Sequence, residues 1–379
     1  MRPKISVIIL NWNGWRDTLE CLESLYQIDY SNYNVILVDN GSEDDSIQKI
    51  RDYCKGKIDI KSKYFSYSSN NKPINIKEYS NNEIKLKNYE NYQLKDLVLI
   101  KNEDNYGFTE GNNIGVRFAI NSFDPDYILL LNNDVVVEKD TLSKLIECTN
   151  IAESAVLQPK VKYYEDGKLN STGMELDLFA YANSRGKHEI DSSQYDNEIK
   201  DKFFYAEGAC LLLKKEFLRC LGNEIFDSKL FAYYEDVDLS WSARLYGYKV
   251  SYCPNSVCYH KGSQSTGGFG LNMAYWGWRN RIRVLIKNYA FKNLIIMLPL
   301  TLLLEFIISI VVSIYKREIK YFFIFFKSLI WNIIVLNDTL KRRKKVQKKR
   351  VVNDSYIKNF MVHHSLELSN LKKDILKLF

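Results

Sequence analysis

Much of what would assign this chain to a common class is missing. Its seven cysteines, an odd number, include no CxxC pair, and Cys253 and Cys258 lie five apart. That leaves a disulfide framework or a zinc knuckle without support, and free, mostly buried thiols in a reducing cytosol are expected. No GxxxxGK(S/T) loop occurs, which argues against a P-loop nucleotide hydrolase. No GxGxxG follows the first apolar run, so a dinucleotide fold is disfavoured, and no GxSxG elbow is present to carry a serine nucleophile. That first run, residues 5–10, is too short for a secretory signal, and no small-residue cleavage site follows it. No internal repeat is found.

What is present is a chain of 379 residues, 46% of them hydrophobic, enough for one large α/β domain or two smaller ones and too apolar for wholesale disorder. The formal net charge of +7 suggests a polyanion binder until its position is noted. Residues 341–350, KRRKKVQKKR, hold eight bases, so the rest of the chain sits at about −1. No nucleic-acid surface is expected, and the basic excess belongs to one C-terminal stretch.

Residues 5–10 (ISVIIL) read as a buried parallel strand running into polar Asn11, Trp12, Asn13 and Gly14. Leu19, Leu22 and Leu25 follow at helical spacing, and residues 33–38 (YNVILV) form the next buried strand, which stops at Asp39, Asn40, Gly41 and Ser42. Strand, helix, strand implies a βαβ unit. From about 53 to 95 Asn, Lys, Tyr and Ser dominate, and this region reads as a weakly ordered insertion. A strand at 97–101, a helix from 111 to 120 and a buried strand at 127–131 (YILLL) come next. The last ends at Asn132, Asn133 and Asp134, with a helix over 140–151 beyond it. Residues 163–202 read as polar and irregular. A strand-like stretch surrounds Glu207-Gly208-Ala209, and a helix over 235–246 carries Val237, Trp241 and Leu245 at spacing four, closed by Gly247.

Ligands of open α/β sheets bind outside the carboxyl ends of the strands. Three apolar strands here end in polar clusters, which suggests one polar site at one sheet edge. Such residues also make ordinary turns, but three clusters at successive strand ends are harder to attribute to turns alone. Asp134, an acid at a strand end, suits a hard cation. Glu235, Asp236 and Asp238 crowd the first turn of a helix, where the macrodipole offsets some of their repulsion. They read either as helix caps or as the source of a general base.

Taken in order, SVIILNWNG (6–14), VDNGSEDDS (38–46), NYGFTEGNNIG (105–115), LLLNNDVVV (129–137), EGACLLL (207–213), YEDVDLSWSAR (234–244), His260 and RNRIRVLIKN (279–288) resemble glycosyltransferase family 2, and its rhamnosyltransferase-like branch most closely. The resemblance covers roughly residues 4–290. It implies a GT-A fold, a Rossmann-like, mostly parallel α/β sheet flanked by helices, and hexosyl transfer from a nucleotide-diphosphate sugar with inversion and with Mg2+ or Mn2+. Membrane-linked or cell-surface glycan precursors are the implied acceptors. By position, Asp39 corresponds to the acid that contacts the donor base. Asn11, Asn13, Asn40, Asn105, Gly107 and Asn112 belong with the donor pocket. Asn132, Asn133 and Asp134 stand where the family carries its DxD-like motif, with only the last an acid, so Asp134 is the implied metal ligand. His260 resembles a late histidine near the diphosphate or metal. Asp236 matches the general base, and Glu207, Glu235 and Asp238 fall on the acceptor side. A nucleotidyltransferase-like enzyme and a non-catalytic membrane-associated scaffold of the same fold are the competing readings.

Beyond the expected catalytic domain, residues 1–290, lie an apolar helical hairpin at 291–340 and a basic tail at 341–379. The first apolar segment, 294–315, is 22 residues long with only Glu305 charged. The second, 321–336, spans about 24 Å as a helix, short of the roughly 30 Å bilayer core. Three bases between them would face outside if both spanned, against the positive-inside tendency. A hairpin lying in the cytoplasmic leaflet, beside anionic lipid, is expected over two spans or a soluble core hairpin.

Overall fold

The computed structural model describes residues 2–85, 92–197, 203–222, 224–262 and 270–369. The parts of the expected insertion at 86–91, of the irregular stretch at 198–202 and of the tail at 370–379 lie outside the described residues. β1 (Ile5–Asn11), α1 (Trp15–Tyr26), β2 (Tyr33–Asp39) and α2 (Ser46–Cys54) open the chain. β3 (Ile76–Ser80), β4 (Leu97–Lys101), α3 (Gly107–Phe123), β5 (Tyr127–Asn132), β6 (Val135–Val137) and α4 (Thr141–Ala152) follow. Then come β7 (Val156–Tyr163), β8 (Leu169–Ser171), β9 (Met174–Leu176), β10 (Ala182–Ser184), β11 (Cys210–Lys214), α5 (Lys215–Leu221), α6 (Glu235–Leu245) and β12 (Val250–His260). α7 (Leu271–Asn288), α8 (Phe291–Lys316), α9 (Lys320–Ile334), α10 (Leu336–Lys349) and α11 (Asp354–Lys358) complete it.

One sheet runs β3-β4-β2-β1-β5-β11-β7-β12-β6, with β8 beside β7. From β3 to β5 every pairing is parallel, while β11 and β6 insert antiparallel. Alternation along β1 divides the core. Ile5, Val7 and Ile9 join Leu19, Leu22 and Leu25 of α1 on one face, and Ile8 joins Ile114 and Phe118 of α3 on the other. α3 lies unusually close to the sheet: a Cβ on Gly115 would stand 2.6 Å from Ile8 Cγ2, and one on Gly111 2.5 Å from Leu10 Cδ1. A side chain at either position would push its sheet neighbour aside.

Within the expected insertion at 53–95, β3 was not anticipated and adds an edge strand to the sheet. Tyr64 stacks on Tyr259 with ring centroids 3.7 Å apart, and Ile74 is buried. The stretch from 163 also forms short strands, β8, β9 and β10, where none was expected.

The basic stretch 341–350 is no free tail. Most of it is helix α10, laid along α7, where Arg343 donates to the carbonyls of Ile286 and Tyr289 and Gln347 to those of Lys287 and Asn288. These bonds satisfy the carbonyls that the end of α7 leaves open. Lys341, Lys344, Lys345 and Lys348 point outward.

Candidate active site

The three polar strand ends meet as expected from their order in the sheet. β1 pairs with β2 on one side and β5 on the other, so Asn11 lies opposite Asp39, and Leu10 opposite Asn132. Asn11 is fully buried; its amide donates to Asp39 Oδ1 at 2.7 Å, and its own oxygen accepts from Thr18. Ser42 adds two donors to Asp39. Asn13, at φ 50°, accepts from the N–H groups of Glu43 and Asp44 and so ties the first loop to the second. Asn40 donates to Asn105 Oδ1 at 2.8 Å and to the Gly107 carbonyl, which fixes the loop entering α3. Gly107, at φ +78°, packs so closely on Phe231 that a Cβ would reach 2.5 Å from its ring. Asn133 donates to Thr18. These residues form one hydrogen-bonded floor.

Asn112 differs from the others. Its amide turns back to the Phe108 carbonyl in its own helix. The neighbouring Asn113, which sequence reasoning passed over, makes the long-range tie: it accepts from the N–H groups of Ile225 and Phe226 and donates to the Phe226 carbonyl.

Beside this floor stands a row of acids assembled from three distant segments. The antiparallel pairing of β12 with β6 sets His260 opposite Val135, next to Asp134. His260 Nε2 lies 3.3 Å from Asp134 Oδ1, and Nδ1 lies 3.9 Å from Glu207 Oε1. Glu207 precedes β11, which is paired with β5, so it reaches the same end of the sheet. The Gly208 N–H then donates to Asp236 Oδ2 at 3.2 Å, while Val237 N–H holds Oδ1 at 2.8 Å. Asp134, His260, Glu207 and Asp236 thus form a continuous series. Glu235 is buried in the same helical turn as Asp236, and one carboxylate oxygen of Glu207 and one of Glu235 have no hydrogen-bond partner among the described residues.

Burial and crowding tune these groups. Burial pushes Asp236 up to about 6, against the pull of the two backbone N–H groups. Burial, and then the charge of Asp236, push Glu235 up to about 8. Burial raises Glu207 as well. Burial works against charge on Asp134 and His260 too, but their mutual attraction wins, holding Asp134 below its ordinary value and His260 above it. The arrangement offers an ionised carboxylate with a raised proton affinity at one end and an oxygen–nitrogen donor pair at the other.

Asp238 does not join this row. It was expected on the acceptor side, but two residues of helix turn it about 200° from Asp236. It accepts from Lys287 at 2.6 Å and Asn288 at 2.9 Å on α7. There it belongs to a buried charge network in which Arg283 and Lys287 both hold Asp227.

Asp134 and His260 fit a divalent ion by donor type, one carboxylate oxygen and one imidazole nitrogen 3.3 Å apart. Among the described residues no three His, Cys, Asp or Glu side chains group closely enough to hold an ion alone. The pair would depend on oxygens brought by a substrate, as Mg2+ sites built on phosphates do.

Residues 86–276 match the family described as Glycosyltransferase like family 2, and residues 6–77 match Glycosyl transferase family 2. A low-salt glycan biosynthesis hexosyltransferase of Haloferax volcanii is 23% identical over 233 residues, which cover 60% of this chain and 72% of that protein. Rhamnosyltransferase WbbL of Escherichia coli is 26% identical over 199 residues, covering 50% and 73%. Among solved structures, S. aureus TarS 1-349 in complex with UDP-GlcNAc gives a TM-score of 0.52 at 16% identity, covering 94% of this chain and 89% of that one. This chain spans 40% of a longer TarS chain.

Proposed function

From the premise that this chain belongs to glycosyltransferase family 2, in its rhamnosyltransferase-like branch, and is a glycosyltransferase of GT-A fold, we propose that it moves a hexosyl group from a nucleotide-diphosphate sugar to a glycan or lipid-linked acceptor with inversion. The family match speaks against the nucleotidyltransferase reading, and the presence of Asp39, Asp134 and Asp236 speaks against the scaffold. The observation that carries the proposal is the placement of Asp236, fixed by two backbone N–H groups, in one row with the Asp134–His260 pair.

Asp236 accepts the proton of the acceptor hydroxyl, whose oxygen attacks the anomeric carbon from the face opposite the diphosphate. One displacement between a base and a leaving group on opposite sides inverts the centre. Asp39, Asn11, Asn13, Asn40, Asn105, Gly107, Asn132 and Asn133 shape the donor side, with Asp39 toward the nucleotide base and Asn112 supporting it from within α3. Asp134 and His260 would hold Mg2+ or Mn2+ against the diphosphate, where such an ion offsets the charge of the leaving group. Glu207 and Glu235 flank the base on the acceptor side. Screening UDP-, GDP- and dTDP-sugars for hydrolysis with added Mn2+ tests the proposal: at least one donor should be cleaved, and failure to cleave or bind any of them would refute it.

The same reading places the enzyme on the cytoplasmic face of an anionic membrane. Its support is a reversed polarity in α8. Thr301, Glu305, Ser309 and Ser313 form a buried stripe, while Ile296, Leu300, Leu303, Ile307, Ile310 and Ile314 are exposed. Glu305 pairs with Arg281 of α7 at 2.9 Å, which binds α8 to the catalytic domain along one side. α9 likewise exposes Phe323, Phe326, Ile330 and Ile333. Such a face suits one lipid leaflet, with the outward lysines of α10 near its headgroups. Replacing Leu303, Ile307, Phe323 and Ile330 together by Ser is expected to weaken vesicle binding by about 10³-fold: each is about half exposed, so covering the four contributes about 3–6 kcal/mol, half of what full burial would. Sedimentation with phosphatidylserine-containing and neutral vesicles, at low and high salt, checks this. Wild-type protein left in the supernatant under every condition would contradict it.

A further inference from the structure

The base sits at the start of α6, and what fixes that start is not α6 itself. The chain reaches Asp236 through a turn in which Phe231, Tyr233 and Tyr234 all adopt left-handed backbone, at φ 67°, 68° and 71°. Side chains with a Cβ disfavour that region, and three such residues within four positions do not persist without outside support. The α6 N-cap, Tyr234, makes no side-chain cap bond.

The support comes from α7. Asn280 is fully buried, and its amide nitrogen lies 2.9 Å from the Leu230 carbonyl, 2.8 Å from that of Ala232 and 2.8 Å from that of Tyr233. Two amide protons serve three carbonyls, so at least one proton is shared. Each carbonyl belongs to a peptide whose orientation defines the turn. The next residue of α7, Arg281, donates to the Tyr234 hydroxyl at 2.8 Å, and that hydroxyl donates to the Ala180 carbonyl. The Asn280 bonds therefore hold the backbone of the turn, and the Arg281 bond holds its last side chain, two residues before Asp236. A third hold comes from the donor side, where Thr109 N–H donates to the Phe231 carbonyl.

We propose that Asn280 is a positioning residue for the transfer reaction: by fixing the left-handed turn 231–234 it sets where the Asp236 carboxylate stands relative to the acceptor hydroxyl. Asn280 does not touch the substrate. It acts through the turn, and the inference rests on the assignment of Asp236 as general base. If the turn relaxes, the helix start moves and Asp236 loses its register with the Gly208 N–H. Donor binding, built mainly on Asp39, Asn40 and Asp134 across the sheet, meets the turn where Gly107 and Thr109 touch Phe231, and changes less than turnover. A displacement of about 1 Å at a reacting group costs on the order of 10²-fold in rate.

The test uses the full-length chain and the nucleotide sugar that the wild type hydrolyses fastest with Mn2+. Asn280→Ser shortens the side chain and breaks the three-carbonyl contact. Tyr234→Phe keeps Asn280 and removes only the hydroxyl bridge. Asn280→Ser should lower kcat by about 10²-fold with donor KM and the thermal midpoint of the donor-bound enzyme little changed. The acid limb of its pH–rate profile should shift from its wild-type position, because Asp236 changes both its burial and its Gly208 N–H bond. Tyr234→Phe should shift both readings in the same direction by less. If Asn280→Ser fails to fold, Asn280→Gln, which keeps the amide but displaces it from the three carbonyls, takes its place. Wild-type kcat and acid limb in the folded variants would overturn the proposal, as would equal losses in kcat, donor affinity and stability. Failure of the base assignment looks different: the wild-type profile would then be insensitive to Asp236→Asn.

Discussion

Asp236→Asn is expected to lower turnover by about 10²–10⁴-fold, the usual contribution of a positioned base, while donor affinity stays near that of the wild type. Asn matches Asp in shape, and one amide oxygen can still accept from the Gly208 or Val237 N–H. What it cannot do is take a proton. The donor side is built from Asp39, Asn40 and Asn105, which have their own bonds and do not involve Asp236. The pH profile of the wild type follows from the same residue. Burial pushes Asp236 up to about 6, and only the ionised form is a base. Activity should therefore be full above that value and fall about tenfold per unit below it. Steady-state kinetics from pH 4.5 to 8, with titration of the nucleotide sugar into both proteins, checks both statements. Wild-type turnover in the Asn variant would remove Asp236 from the mechanism.

Asp134→Ala, or excess EDTA on the wild type, is expected to lower turnover by at least about 10²-fold, the scale of losing one preorganised electrostatic contact to the leaving group. Asp134 supplies the only acid of the Asn132-Asn133-Asp134 motif, and its loss also deprives His260 of the partner that holds its charge. With only two protein donors, affinity for the ion should be weak alone and rise when a nucleoside diphosphate is present. Thermal shifts with Mn2+ alone, UDP alone and both together separate these cases. A larger shift with the pair, lost in Asp134→Ala, is the expected result. Full activity in EDTA would contradict it.

Asp134 and Asp236 were legible in the sequence because each sits at a local signal, the end of an apolar strand and the first turn of a helix. Neither signal says what lies opposite. His260 and Glu207 come together only through the pairing of β12 with β6 and of β11 with β5, contacts across more than 70 residues. Asp238 was misjudged because charge alone groups it with Asp236, whereas helical periodicity sends the two to opposite sides. β3 escaped notice because, as an edge strand with every residue half-buried, it lacks an apolar run. Asn280 lies in the RNRIRVLIKN stretch that carries part of the resemblance, but nothing there gives it a role: a buried asparagine in a helix is identified as a strut only by the three carbonyls it meets.

The central claim is a single displacement, with Asp236 on one side of the anomeric carbon and the diphosphate held by the Asp134–His260 pair on the other. Proton NMR of the first-formed product, recorded before mutarotation, reads the outcome directly. A sugar of anomeric configuration opposite to that of the donor is predicted from the wild type, and about 10²–10⁴-fold less of it from Asp236→Asn. A product with the donor's own configuration would contradict the account.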